Sequence, residues 1–194
     1  MKVTVFLSAG VPLPPPSRSE KYFATADVVA IRDSIRALVT AVLPEGRLVF
    51  GGHPAITPMV RLLIRDRKLS VREHLVLFQS RFFQAAFPSD VQEFENVVLV
   101  DAVGESRDAS LMRMREVMIR SENFGVGIFV GGMEGVEEEY AMFRRFHPNA
   151  AAYPIASTGA AARIIFDRYA KDQTELLGDL RYLSLFRRLL SPRP

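Results

Sequence analysis

Val126-Gly127-Ile128-Phe129-Val130-Gly131-Gly132-Met133-Glu134-Gly135-Val136-Glu137-Glu138-Glu139 contains a complete structural unit in miniature. Val126 to Val130 is a short apolar run that reads as a buried strand, and the double glycine after it ends the extended chain. From Gly135 to Phe146 the periodicity changes. Val136, Tyr140 and Phe143 fall on one helical face, so the unit is strand, glycine-rich turn, helix.

The same grammar recurs on both sides. Val3–Leu7 is a nearly continuous apolar strand that ends in Ser8-Ala9-Gly10, and Asp27 to Leu43 follows as a helix with Val28, Ile31, Ile35, Leu38 and Val42 at helical spacing. Pro44-Glu45-Gly46 stops that helix. Leu48-Val49-Phe50 is the next strand and leads into Gly51-Gly52-His53-Pro54, where Pro54 suits a first helical turn and Met59 to Ile64 continue it. Strands are expected at 74–78 and 97–100, separated by an irregular stretch rich in phenylalanine (Phe82, Phe83, Phe87, Phe94). Ser106 to Ser121 reads as a helix, Ala151 to Ala156 as a last strand, and Ala160 to Leu190 as helical. Buried strands alternating with helices predict an α/β fold: a Rossmann-like three-layer sandwich whose mainly parallel sheet is flanked by helices. Residues 1–194 read as one domain. The segment 171–194 carries an amphipathic helix, with Leu176, Leu183, Phe186 and Leu190 opposite Arg181, Arg187 and Arg188, that packs on the domain or on a second subunit.

Composition narrows the function. The formal charge is +3 with an isoelectric point near 9.4, but the basic residues are interleaved with acidic ones. That pattern fits an anionic small molecule better than a duplex-binding stripe, so nucleic acid is not the expected partner. Cysteine is absent and the three histidines, His53, His74 and His147, are scattered, so neither a metal site nor a cofactor is expected. Lys2 and the apolar run after it imitate a signal peptide. The run is short and β-branched, and Pro12, Pro14, Pro15 and Pro16 follow in a stiff turn, so it reads as a first strand. No run approaches the roughly 18 apolar residues of a membrane span, and a cytoplasmic protein is expected.

In open parallel sheets ligands lie beyond the carboxyl ends of the strands. The residues there share a composition: Ser8, Ala9 and Gly10; Gly51, Gly52 and His53; Gly131, Gly132, Met133, Glu134 and Gly135; Ser157, Thr158 and Gly159. Glycine lets a ligand approach backbone N–H groups, and a helix start adds unpaired donors that suit phosphate. Each such turn also has a purely steric reading, because tight strand-to-helix turns need glycine. Two charged residues stand out by position. Arg115 lies on the apolar stripe of its helix with Leu111, Met114 and Met118, and Glu139 lies beside Val136, Tyr140 and Phe143, whereas Glu138 points nearly the opposite way. They form either an ordinary ion pair between neighbouring helices or part of a pocket, with Arg115 on a phosphate and Glu139 on a sugar.

The run from Ile128 to Glu139 resembles the second signature of the SLOG superfamily, which unites the Lonely-Guy phosphoribohydrolases, the Smf/DprA DNA-uptake proteins and sensor domains of bacterial nucleotide-signalling defence systems. The enzymes carry GGxGTxxE and an upstream MxxRK helix. Met112-Arg113-Met114-Arg115-Glu116 is similar to that helix, which puts Arg115 on the family arginine and Glu139 on its glutamate. Two departures favour the defence-associated branch: the glycine turn is one residue longer with Val136 in place of threonine, and Gly51-Gly52-His53-Pro54 lacks a later glycine. The resemblance implies a protein that binds a nucleotide-derived ligand such as an ADP-ribose derivative or a cyclic nucleotide. Its alternatives are an N-glycosidase with Glu139 and Arg115 as catalytic residues, and a single-strand DNA binder. It also implies a homodimer or higher homo-oligomer, with a separate effector protein as a possible partner.

Two further readings stay open. His53 contacts a phosphate or base, or satisfies its own loop. The phenylalanines form a lid that stacks on a base, with Arg81 beside them as a phosphate contact, or they are satellite core under a loop.

Overall fold

Asp27 opens the first long helix by accepting the N–H of Ala30 at 2.9 Å, and Ile31, Ile35, Leu38 and Val42 bury its inner face. The structure, a computed structural model, describes residues 3–15, 20–43, 45–65, 74–87 and 94–191. Met1, Lys2, Pro16, Pro44, residues 88–93 of the phenylalanine-rich stretch and residues 192–194 of the C-terminal segment lie outside that description.

Six parallel strands form one sheet: β1 (Thr4–Gly10), β2 (Arg47–Gly51), β3 (Leu75–Ser80), β4 (Val97–Val100), β5 (Val126–Gly131) and β6 (Ala151–Ile155), in the spatial order β4-β3-β2-β1-β5-β6. The helices are α1 (Glu20–Phe23), α2 (Val28–Val42), α3 (Ile56–Arg65), α4 (Arg107–Ile119), α5 (Glu134–Phe146), α6 (Ala160–Tyr169), α7 (Glu175–Gly178) and α8 (Tyr182–Leu190). The fold is an α/β Rossmann-like three-layer sandwich. Parallel neighbours require crossovers, and residues of α2, α3, α7 and α8 share one core layer with Val5, Leu7, Leu48 and Ile128. The other layer holds α1, α4, α5 and most of α6 around Phe6, Val49 and Phe129. Phe6 stacks on Phe143 with ring centres 5.4 Å apart, and Phe129 meets Tyr140 edge-on at 5.0 Å, which fixes α5 over β1 and β5.

Strand order reverses at β1. The chain progresses to β2, β3 and β4 on one side and returns through α4 to β5 on the other, with β1 and β5 in register from Val5↔Val126 to Gly10↔Gly131. The helices that follow β1 and β5 pack on opposite faces, so the carboxyl tips of these two strands mark the switch point at which such sheets form a ligand crevice.

Several boundaries differ from the sequence expectation. The segment from Ala160 to Leu190 divides into α6, α7 and α8, and α8 lies on α2 with Tyr182, Leu185 and Phe186 buried. Arg81–Ala86 forms a tight 3-10 turn. Phe94 is buried against Phe50 at 6.0 Å and Phe87 packs beside that core, so these rings serve as core. No helix among the described residues is long and apolar enough to cross a membrane.

Candidate functional site

Three glycine-rich turns lead into helices at the carboxyl side of the sheet, and the structure distinguishes them by what their N–H groups already hold. At the start of α3 the donors are spent locally. His53 N–H donates to Thr57 Oγ1 at 3.0 Å, Ala55 N–H to His53 Nδ1 at 3.2 Å, and the N–H groups of Ile56 and Thr57 to the His53 carbonyl. At the start of α6, Gly159, Ala160 and Ala161 donate to the Ala156 carbonyl, Thr25 Oγ1 and the Gly132 carbonyl. Thr158 is fully buried, and its hydroxyl donates to the Ile155 carbonyl at 2.6 Å while accepting Gly131 N–H at 2.9 Å. Ser157 is paired with Tyr182 of α8 at 3.0 Å. The Ser157-Thr158-Gly159 turn is therefore a strut joining β5, β6 and α6.

The start of α5 is different. Met133 brings no side-chain cap, and the N–H groups of Glu134 and Gly135 have no partner among the described residues. Gly131 and Gly132 turn the chain here with φ of 54° and 79°, a region that only glycine enters freely, and Gly132 N–H is tied to the Gly10 carbonyl at 2.8 Å. An anion at this end would meet free donors and the positive end of the helix dipole.

Arg115 reaches the same place from α4. Ser110, Met114 and Met118 bury the inner face of that helix, and both methionines lie under Gly51. The guanidinium crosses Gly135 so closely that a side chain there would meet Arg115 Nη2 at 2.5 Å. Its Nε donates to Glu139 Oε1 at 3.3 Å, and its Nη1 pairs with Glu138. The Glu138 contact corrects the expectation that this residue points away. Arg115 reaches past the inner face of α5, and the half-exposed Glu138 folds back to meet it.

Glu139 is the more enclosed carboxylate, with 14% of its side chain exposed against 46% for Glu138. Burial pushes its pKa above the ordinary carboxylate value, and Arg115 and the neighbouring Ser8 hydroxyl offset this only in part. Ser8 is 1% exposed, and its hydroxyl makes no hydrogen bond of good geometry among the described residues. Ser8, Arg115 and Glu139 thus form a polar group in the aromatic layer below the open start of α5, able to grip hydroxyls and a phosphate.

His53 and Gly10 meet at the centre of the crevice: a side chain on Gly10 would lie 3.2 Å from Gly132 Cα and 3.3 Å from His53 Nε2. Burial lowers the His53 pKa. Ala9 turns toward the other layer and packs against its core. Arg81 stands apart at the tip of β3, bonded to Asp101 at 3.0 Å and exposed. A broad groove at the opposite, amino-terminal end of the sheet touches this site only at Glu138. Sequence reasoning missed Thr25, which closes the α6 turn, and Gln79, whose side chain lies over Gly52. Gln79 and Ser80 are the polar residues that end an otherwise apolar strand, and that break in the pattern is the signal. Among the described residues no cluster of histidine and carboxylate side chains has the makings of a metal site.

The chain matches none of the curated proteins. The family model for the SLOG cluster3 family matches residues 21–190, which include the whole site except Ser8, Ala9 and Gly10, and the chain belongs to that family.

Proposed function

We propose that this protein binds a nucleotide-derived small molecule, such as an ADP-ribose derivative or a cyclic nucleotide, and senses or sequesters it in a bacterial nucleotide-signalling or defence setting. The observation that carries the reading is the start of α5, where free N–H groups and the enclosed Arg115 converge. A phosphate sits there, sugar hydroxyls meet Glu139 and Ser8, and the remainder of the ligand extends over Gly10 and His53 toward β2. SLOG membership agrees with a nucleotide-related role.

One observation favours a second reading. A carboxylate whose affinity for a proton is raised by burial, set beside an arginine and a hydroxyl, is what an N-glycosidase needs. Water oxygen would bond to the anomeric carbon as the carbon–nitrogen bond breaks, its electron pair leaving with the base. Glu139 would take the water proton and pass it to the departing nitrogen.

Purified protein incubated with nucleoside monophosphates, NAD, ADP-ribose, cyclic ADP-ribose isomers and cyclic dinucleotides, followed by mass spectrometry of bound and free fractions, separates the two. Retention of one intact nucleotide, lost in Arg115→Ala, supports the binding role. Release of free base, lost in Glu139→Gln while binding persists, establishes the glycosidase. If no compound is retained or cleaved, both readings fall.

The two carboxylates on Arg115 yield a further expectation. Glu138 is the exposed one, so an incoming phosphate displaces it while Glu139 stays in place. Glu138→Gln should therefore tighten binding of a phosphate-bearing ligand about fivefold at low salt. Calorimetric titration of wild type and variant checks this; weaker binding by the variant would make Glu138 a ligand contact instead.

A further inference from the structure

The polar groups at the tips of β2 and β3 remain unused by the phosphate and sugar ends of the site. Gln79 lies at the end of β3 and is 8% exposed, yet neither its carbonyl nor its amide nitrogen makes a hydrogen bond among the described residues. Its carboxamide lies directly on Gly52, in the space that a side chain at 52 would occupy. Its polar atoms are not sealed from solvent, so a ligand with matching donors and acceptors can replace the water on them.

His53 follows Gly52 in the chain and carries a defined donor. Its Nδ1 accepts Ala55 N–H and burial keeps the ring neutral, so the ring proton is on Nε2. That Nε2 lies beside Gly10, whose other near neighbour is the Gly132 turn, and no partner among the described residues holds it. The tips of β3, β2, β1 and β5 are successive neighbours, so Gln79 and the start of α5 are separated by three strand spacings, on the order of 14 Å. A nucleotide laid across the strand tips, phosphate at α5, brings its base to β2 and β3.

We propose that Gln79 and His53 form a base-recognition subsite. The Gln79 carboxamide pairs with a base edge that offers a donor beside an acceptor, as adenine does, and His53 Nε2–H donates to a further ring or sugar acceptor. A carboxamide suits this task because it accepts and donates side by side in one plane. Gly52 is glycine so that the amide can lie there. This assignment rests on the nucleotide-binding reading above and extends it to the chemistry of the ligand's far end.

The test compares ligands that share a phosphate end and differ at the base. AMP and ADP-ribose, which carry adenine, are titrated against ribose 5-phosphate, which has none, on wild type, Gln79→Met and Arg115→Ala. Wild type should prefer the adenine compounds. Gln79→Met should weaken the tighter of the two about tenfold while ribose 5-phosphate binding stays unchanged, which also shows that the variant is folded. Arg115→Ala should weaken all three. If wild type binds the probes but Gln79→Met leaves the adenine-to-ribose preference unaltered, the subsite is overturned and the nucleotide reading survives. If wild type binds none of the three but retains another compound of the panel above, the adenine subsite is overturned and the nucleotide reading survives; if it retains nothing from that panel either, both are overturned.

Discussion

Gly159→Ala should lower stability by about 4 kcal/mol, on the order of 10 °C in melting temperature, the largest loss of any single glycine substitution argued from this fold. Gly159 has φ 70° and ψ −158°, a conformation that side-chain-bearing residues almost never adopt. An added methyl would also run into the carbonyl group of Thr25, with the carbonyl carbon 2.5 Å away and Ala26 Cα 3.1 Å away. The obstacle is backbone, and it is fixed. Thr25 Oγ1 holds Ala160 N–H, and Asp27, the cap of α2, donates its own N–H to the Thr158 carbonyl. Retreat of the Thr25 loop would therefore loosen the starts of α2 and α6 together. Ala160 follows with φ 55° although it carries a side chain, so local strain is already present. Two control substitutions separate the causes. Gly104→Ala has φ 53° but open space, and should cost about 1 kcal/mol. Gly125→Ala has neither obstacle and should change stability by less than about 0.5 kcal/mol. Urea titrations of the three give the order. If Gly159→Ala is as mild as Gly104→Ala, the Thr25 contact is yielding and the turn is not the strut described above.

That turn also marks where sequence reasoning reaches and where it stops. Alternation of apolar runs and amphipathic segments was enough to place the strands, because a parallel sheet buried on both faces leaves continuous apolar runs such as Leu75–Phe78 and Val126–Val130. Arg115 and Glu139 were also legible, since a charge on an apolar helical stripe is conspicuous against its neighbours. The functional difference between glycine turns was not. Ser157-Thr158-Gly159 and Gly131-Gly132-Met133 have similar compositions, but the first has its donors occupied by Thr25 and Gly132, more than twenty residues away in one direction or the other. Such satisfaction is a long-range property that no local pattern carries. Glu138 was misread for a related reason: helical spacing gives the direction of a Cβ, while the reach of a long arginine from a second helix decides the contact.

Arg115→Ala should destabilise the protein by about 3 kcal/mol at neutral pH, and Arg115→Ala/Glu139→Gln should recover most of that loss. Removing the guanidinium leaves Glu139 enclosed beside an unpaired Ser8 hydroxyl, and an enclosed carboxylate without its cation is costly. The pH dependence follows from the direction of the Glu139 shift. Burial raises its folded pKa above the ordinary value of 4.5, so the folded state binds the proton more tightly than the unfolded chain. The group's contribution is therefore most favourable below pH 4.5 and declines as pH rises from there through the raised folded value. Glu139→Gln, which keeps the shape and removes the charge, should be more stable than wild type at pH 7 and equal to it near pH 4. In Arg115→Ala the decline should extend to higher pH, because the main influence opposing burial is gone. Denaturant titrations of the four proteins between pH 4 and 8 provide these differences. A carboxylate that lowers stability at neutral pH is poorly explained as an ion pair retained to hold two helices together. It is well explained as a group whose charge is needed by what enters the crevice, with Arg115 limiting the cost until then. If Glu139→Gln is instead the less stable protein at pH 7, the pair is a structural link between α4 and α5, and the sugar end of the site must be sought elsewhere.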